Sequence, residues 1–196
     1  MKKKSLILFS GGIDSYVAMA LEKQSGAECV SLSFEYAGQP DQEIRAIREI
    51  SAIERVPNYI VRHPVIIGAK YGEKPVQFIP DNLVYYSMAI AFSRNNKISR
   101  IIGGQNKDDS VHATDAKNMF YEGLNKIIVN NYPDSVLEIV QPLLNMTKLE
   151  VVEKGLELNL PLELTWSCQN SGHKPCIFCS NCRSREEISK KLGVNL

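Results

Sequence analysis

Ser10-Gly11-Gly12-Ile13-Asp14-Ser15 follows directly on the apolar run Leu6-Ile7-Leu8-Phe9. That order reads as a strand ending in a glycine turn that opens a helix. The first N–H groups of such a helix have no internal partner, point outward, and carry roughly half a positive charge from the helix dipole. Gly11 and Gly12 let the backbone approach an anion with no Cβ in the way, and Ser10 and Ser15 each offer a hydroxyl donor. The segment therefore has the chemistry of a phosphate nest. It is not G-x-x-x-x-G-K-[ST], because no lysine follows before Lys23, and it is not G-x-G-x-x-G. The plainer reading is a glycine turn in which Asp14 or Ser15 caps the helix, a role that can coexist with ligand binding.

A second cluster lies near the end of the sequence. Cys168, Cys176, Cys179 and Cys182 are spaced C-x7-C-x2-C-x2-C. Two-residue gaps let successive thiolates turn back on one cation, and four thiolates close a tetrahedral zinc shell with no open position for a catalytic water. A zinc held here is structural. Disulfides are disfavoured because nothing marks the chain for an oxidising compartment, while an iron–sulfur cluster is compatible with the spacing. Cys29, alone in an apolar run, reads as a small buried hydrophobe. His173 lies among the four cysteines, which already suffice without it.

The elements that must position these groups follow from hydrophobic period. Residues 5–9, 29–34, 59–62, 98–102 and 137–140 read as strands. Helical patterns run from the glycine turn to about residue 24, over 41–55, 82–94 and 117–129, and from Thr147, where Thr147-x-x-Glu150 is a capping-box signature. Strand–helix alternation implies right-handed crossovers and an α/β, doubly wound parallel sheet covered on both faces. Ligands of such sheets sit beyond the carboxyl ends of the strands. Three polar clusters fall there: residues 10–15, Glu35-Tyr36, and Gly103-Gly104-Gln105-Asn106-Lys107-Asp108-Asp109.

The 196 residues suffice for one domain with its own core, so the cysteine segment is an addition and not the main support. We divide the chain into a main domain over 1–164 and a metal-binding segment over 165–196. The net charge of +1, with both signs interspersed, gives no electrostatic footprint for a long nucleic acid, and a small substrate is expected. The basic start Met1-Lys2-Lys3-Lys4 is followed by too short an apolar run for a secretory signal, and no run approaches the roughly 18 apolar residues of a membrane span. The expected location is cytoplasmic.

Ser-Gly-Gly-x-Asp-Ser resembles the PP-loop of the ATP pyrophosphatases. Together with Met146-Thr147-Lys148, Thr165-Trp166-Ser167-Cys168 and Pro175-Cys176, Cys179 and Cys182, it resembles the 7-cyano-7-deazaguanine synthase family. That resemblance implies a PP-loop fold of the adenine-nucleotide alpha hydrolase type with a four-cysteine zinc segment. It also implies conversion of 7-carboxy-7-deazaguanine and ammonia to the nitrile preQ0, on the route to queuosine, with ATP cleaved to AMP and pyrophosphate. Phe9, Ser10, Gly11, Gly12, Ile13, Asp14 and Ser15 would hold ATP, and the four cysteines zinc, in a homodimer. Asp14, Ser15 and Lys148 are the expected catalytic residues, with Asp14 on a magnesium ion and Lys148 offsetting charge on the phosphate. Loops at 72–80 and 108–115 are expected to shield the adenylate from water.

The middle of the chain departs from that pattern. Tyr36-Ala37-Gly38-Gln39-Pro40-Asp41, Ile79-Pro80-Asp81-Asn82 and Asp115-Ala116-Lys117 stand where typical members carry Tyr-Gly-Gln-Arg-His, Pro-Gly-Arg-Asn and often Asp-Cys-Arg. The lost basic side chains predict weak or incomplete nitrile formation unless Lys107 or Lys117 replaces them. Two other readings stay open: a paralogue that adenylates a related carboxylate and stops at an amide with another amine, and a zinc-stabilised nucleotide-binding module without turnover.

Overall fold

The computed structural model describes residues 3–36, 39–62, 66–67, 76–77, 81–170 and 172–196, the two short pieces 66–67 and 76–77 as backbone only. Strand β1 (Lys4–Leu8) leads into α1 (Ile13–Gln24), β2 (Glu28–Glu35) into α2 (Asp41–Glu54), and β3 (Asn58–Arg62) toward a short antiparallel pair, β4 (Ile66–Ile67) and β5 (Val76–Gln77). Then come α3 (Asn82–Asn95), β6 (Arg100–Ile102), the single turn α4 (Asp109–His112), α5 (Asn118–Asn131), β7 (Glu138–Val140), α6 (Lys148–Glu157) and α7 (Ser180–Leu192). The five long-sheet strands are all parallel in the order β3-β2-β1-β6-β7.

Side-chain alternation along this sheet makes its two faces. Leu6 pairs in register with Val30 and Ile101, and Ile101 with Ile139; this row packs on Tyr86 and Ala89 of α3 and on Tyr121, Leu124 and Ile128 of α5. One residue on, Ile7, Ile102 and Val140 point the other way, against α1, α2, α6 and Ile188 of α7. A slip of one residue would exchange the two rows, so burial on both faces fixes the register. The expected doubly wound parallel sheet is what forms, and the strands and helices read from the sequence recur with boundaries shifted by a few residues. Helix α7 was not among them.

Polar groups are partitioned between the two ends of the sheet. At the amino ends, Glu22 accepts hydrogen bonds from the Ser5 hydroxyl (2.6 Å) and Arg100 Nη1 (2.8 Å), and Arg100 Nε reaches Glu138 at 3.0 Å. At the carboxyl ends the loops converge on the site described below. Local signals place the helices that matter there: Thr147 and Glu150 complete a reciprocal capping box at α6, and Asp81 accepts from Val84 N at the start of α3. Among the described residues no helix is long and apolar enough to cross a membrane.

Candidate active site

The β1–α1 loop is held from both sides. Phe9 is buried, its N–H donating to Leu32 O (2.9 Å) and its carbonyl accepting from the Ser33 hydroxyl (2.6 Å). Gly11 has φ +77°, and a Cβ there would lie 3.1 Å from both Glu43 O and Ile47 Cγ1, so conformation and space both demand glycine. Gly12 caps α1 without a side-chain acceptor for the helix's first N–H groups. The Ser15 hydroxyl donates to Gly12 O (3.1 Å) and lies 3.2 Å from Ser10 Oγ. Ser15 is buried, so its hydroxyl shapes the loop from below. Ile13 is buried too and turns its side chain into the core, which leaves its backbone as the part that can meet a ligand.

The loop after β6 closes against this one. A Cβ on Gly104 would lie 2.8 Å from Ser15 N and 2.9 Å from Ser15 Cα, so the β6 loop rests directly on the first turn of α1. That contact brings Asn106, fully buried, to Asp14: Nδ2 donates to Asp14 Oδ1 at 3.1 Å, while Oδ1 accepts the N–H groups of Asp108 (2.8 Å) and Asp109 (3.1 Å). Asp109 returns a carboxylate oxygen to Asn106 N (3.0 Å), and Asp108 accepts Lys148 N (2.8 Å) at the start of α6. The Lys148 ammonium pairs with Asp14. Residues from three loops thus form one closed circuit over the amino end of α1. Burial pushes the Asp109 carboxyl up and the Asp14 charge adds to the effect, with the Asn106 N–H only partly opposing it. A group of oxygen donors under such repulsion suits a hard divalent cation.

A cleft of about 900 Å³ opens beside the circuit, lined by Ser10, Gly12, Asp14, Asp109, Lys148 and Trp166 among others, and by Arg185 at its far wall. A second cavity of about 310 Å³ adjoins it between the ends of β2 and β6, with Phe9, Phe34 and Tyr85 as apolar walls and Asn82 and Gln105 as polar ones. Its aromatic and polar walls suit an aromatic ring with polar edges. Of the candidate clusters, residues 10–15 and 103–109 meet here. Glu35 instead pairs with the exposed Arg62, whereas Tyr36 lines both cavities. Lys107 and Lys117 are exposed, and neither lines a described cavity. The loop at 108–115 contributes Asp108, Asp109, His112 and Ala113 to the cleft, while the expected cover at 72–80 lies outside the described residues except for the backbone of 76–77.

The four cysteines come together as their spacing predicts, with all their sulfur atoms within 4.8 Å of one another and without His173, which instead contacts Gln42. N–H groups point at the sulfurs: Cys176 N at Cys168, Cys179 N at Cys176, and Cys182 N at Cys179, each at 3.4 Å. Desolvation works against the Cys176 thiolate, but the N–H groups of Cys179 and Phe178 and the Asn170 amide outweigh it and bring the thiol down to about 6. Burial and the adjoining thiols push Cys182 up to about 12. Four sulfur atoms so close together are placed to hold one metal ion, which would favour the thiolate form of each. The segment is joined to the β1–α1 loop by Trp166, whose N–H donates to Gly11 O (3.0 Å) and whose indole N–H donates to Cys168 O (2.8 Å).

Sequence reasoning missed Arg185. It lies one turn beyond Cys182 on helix α7, and donates to Thr165 Oγ1 (2.9 Å), Ser167 Oγ (3.2 Å) and Leu162 O (3.1 Å). Burial holds its pKa below the usual range, and the fields of Cys182 and Glu163 compensate only in part. The C-x2-C-x2-C-x2-R spacing was available as a signal, but without the helix there was no reason to aim that side chain at the cleft.

This sheet order, with a glycine loop between β1 and α1 and a cleft over the strand ends, defines a PP-loop protein. Solved structures agree in fold: NMN synthetase from Francisella tularensis has a TM-score of 0.57 at 15% identity, covering 100% of this chain and 79% of that one. A 4-thiouridine synthetase, solved as an RNA complex with bound ATP, has a TM-score of 0.58 at 17% identity, covering 97% and 50%. The sequence model of the queuosine biosynthesis protein QueC matches residues 4–71 and 67–193, and the chain belongs to that family. The 7-cyano-7-deazaguanine synthase of Campylobacter concisus is 32% identical over 212 residues, covering 98% of this chain and 96% of the relative. That of Chlorobium limicola is 29% identical over 217 residues, covering 97% and 94%. The chain is accordingly an enzyme of the ATP-using PP-loop type.

The β6 loop gives a direct test of the packing. Gly104→Ala forces a Cβ into the α1 backbone, and we expect a loss of about 1–3 kcal/mol in stability by urea unfolding, together with weakened ATP binding. Unchanged stability and nucleotide affinity would show that the contact at Ser15 yields freely.

Proposed function

We propose that this chain is a 7-cyano-7-deazaguanine synthase that activates 7-carboxy-7-deazaguanine with ATP. The observation that supports it most is the Asp14–Lys148–Asn106 circuit at the amino end of α1, set between a phosphate loop and a pocket for a flat heterocycle. The first N–H groups of α1 beyond Gly12, whose own N–H meets Ser10 Oγ at 3.4 Å, receive the β- and γ-phosphates, and Lys148 moves from Asp14 to the polyphosphate. Asp14, with Asp108 and Asp109 close by, would hold magnesium, which supplies charge neutralisation on the phosphates. The case for it is electrostatic: the Asp and Glu side chains lining the cleft (Asp14, Glu43, Asp108, Asp109) outnumber its lysine and arginine, Lys148 and Arg185, so a nucleotide polyanion enters favourably only with a cation.

A carboxylate oxygen of the acid attacks the α-phosphorus, the bond to the bridging oxygen breaks, and pyrophosphate leaves with the electron pair. Ammonia then attacks the acyl carbon, loses a proton, and displaces AMP to give an amide. A second activation at the amide oxygen, followed by loss of AMP and two protons, gives the nitrile. A second reading, in which synthesis stops at the amide, is favoured by one observation. Asp81, Asn82 and Asp115 are occupied in holding the start of α3, and no described lysine replaces the missing basic residues.

For the metal we propose one zinc per chain. Four thiolates at about 2.3 Å from a single zinc lie about 3.8 Å apart, close to the 3.9 Å between Cys176 and Cys182, whereas a multi-iron cluster holds its thiolates wider apart. We take residues 165–196 as the segment this ion stabilises against the 1–164 domain. Elemental analysis should return about one zinc per chain, and Cys179→Ser should lose it and lower the unfolding temperature. Iron in its place, or full zinc retention in Cys179→Ser, would overturn the assignment.

Turnover should release AMP and pyrophosphate without ADP, and Asp14→Asn should reduce it by at least a hundredfold in a folded, zinc-replete protein. ADP as the main product, or a rate within a few-fold of the parent, would contradict the mechanism. Following acid, amide and nitrile separately distinguishes the two readings of the end product.

A further inference from the structure

Arg185 presents to the cleft a cation on which Glu163 and Cys182 act only through their fields, without direct contact. Three of its five N–H groups are used, two from Nη1 to the Thr165 and Ser167 hydroxyls and one from Nη2 to Leu162 O. All three acceptors are neutral. Among the described residues no carboxylate forms an ion pair with it, in contrast to Lys148, which is matched by Asp14. The Nε–H and one Nη2–H remain without a described acceptor, on a side chain that lines the cleft. A guanidinium fixed on one side by neutral acceptors and open on the other offers donors in a planar fork suited to a carboxylate.

The surroundings distinguish this place from the phosphate site. Lys148 and the α1 amino end face the glycine loop, whereas Arg185 belongs to α7 and is fastened to residues 162–167, which also supply Trp166 and Ser167 to the cleft wall. The Trp166 N–H on Gly11 O ties that wall to the loop, so an anion on Arg185 is held in a fixed relation to the nucleotide. Two anions must meet in this reaction, and the cleft offers a separate cationic group for each.

Resting on the function proposed above, we infer that Arg185 is the specificity-determining receptor for the carboxylate of the acyl substrate, which it grips through its Nε–H and free Nη2–H. The fork fixes the plane and position of the carboxylate, and an oxygen attacks the α-phosphorus through its remaining lone pair, so the residue both selects an acid and orients it.

The acid and the neutral nitrile share the same ring, and the difference between them isolates the carboxylate. Binding of 7-carboxy-7-deazaguanine and of 7-cyano-7-deazaguanine to the zinc-replete enzyme is measured by calorimetry for the parent, Arg185→Gln and Arg185→Lys. We expect Arg185→Gln to weaken the acid about ten- to a hundredfold, while the nitrile and ATP stay within about twofold. Arg185→Lys, which keeps the charge and loses the fork, should fall between, and it decides the matter if the glutamine variant does not fold. Equal losses for acid and nitrile, or unchanged acid affinity in either folded variant, would overturn the assignment while leaving the proposed function standing. A parent enzyme that binds neither ligand would overturn both.

Discussion

The arrangement of the site depends on one close approach, that of Gly104 to the backbone of Ser15. With no Cβ at Gly104, the chain leaving β6 lies on the first turn of α1, and the next residues deliver Asn106 to Asp14. Asn106 then gathers Asp108 and Asp109 with its own carbonyl oxygen, and Asp108 fixes the start of α6 so that Lys148 meets Asp14. Each later contact presupposes the earlier one. A single methyl group at the head of this sequence would displace four charged side chains, which is why a glycine far from Gly11 and Gly12 in sequence belongs to the same device.

The charges follow a related logic. Buried polar groups are tolerable when hydrogen-bonded, and Asn106 satisfies the circuit with contacts to three aspartates. The carboxylates nevertheless leave the cleft with more acidic than basic side chains, which is the ground for the magnesium proposed there. The cysteine segment adds rigidity at the opposite wall. Its sulfurs receive backbone N–H groups, and its chain is fastened to the glycine loop through Trp166, so the cysteine cluster and the β1–α1 loop are mechanically joined. Arg185 is fastened to the same segment.

Much of this was legible in the sequence because the signals were local. The glycine turn, the Thr147–Glu150 capping box, the apolar strands and the cysteine spacing each rest on a few adjacent residues, and each formed where read. Pairings between distant loops were not legible: Asn106 looked like any loop asparagine, and nothing in the sequence joins residue 106 to residue 14. Helix α7 escaped because its apolar content is low and its cap is Cys179, a residue read for its sulfur and not for its capping of Cys182 N. Without that helix Arg185 had no direction. Whether Lys107 or Lys117 replaces the missing basic residues was left open by the sequence; neither lines a described cavity, since proximity in sequence to a site loop does not set which way a side chain points.

The central claim is that the acid is activated by transfer of one of its own oxygens to the α-phosphate. It is tested by supplying 7-carboxy-7-deazaguanine labelled with oxygen-18 in its carboxylate and analysing the nucleotide by mass spectrometry. The account predicts that AMP acquires one labelled oxygen from each activated carboxylate, with none in pyrophosphate. Unlabelled AMP alongside consumed acid, or label in inorganic phosphate with ADP, would contradict it.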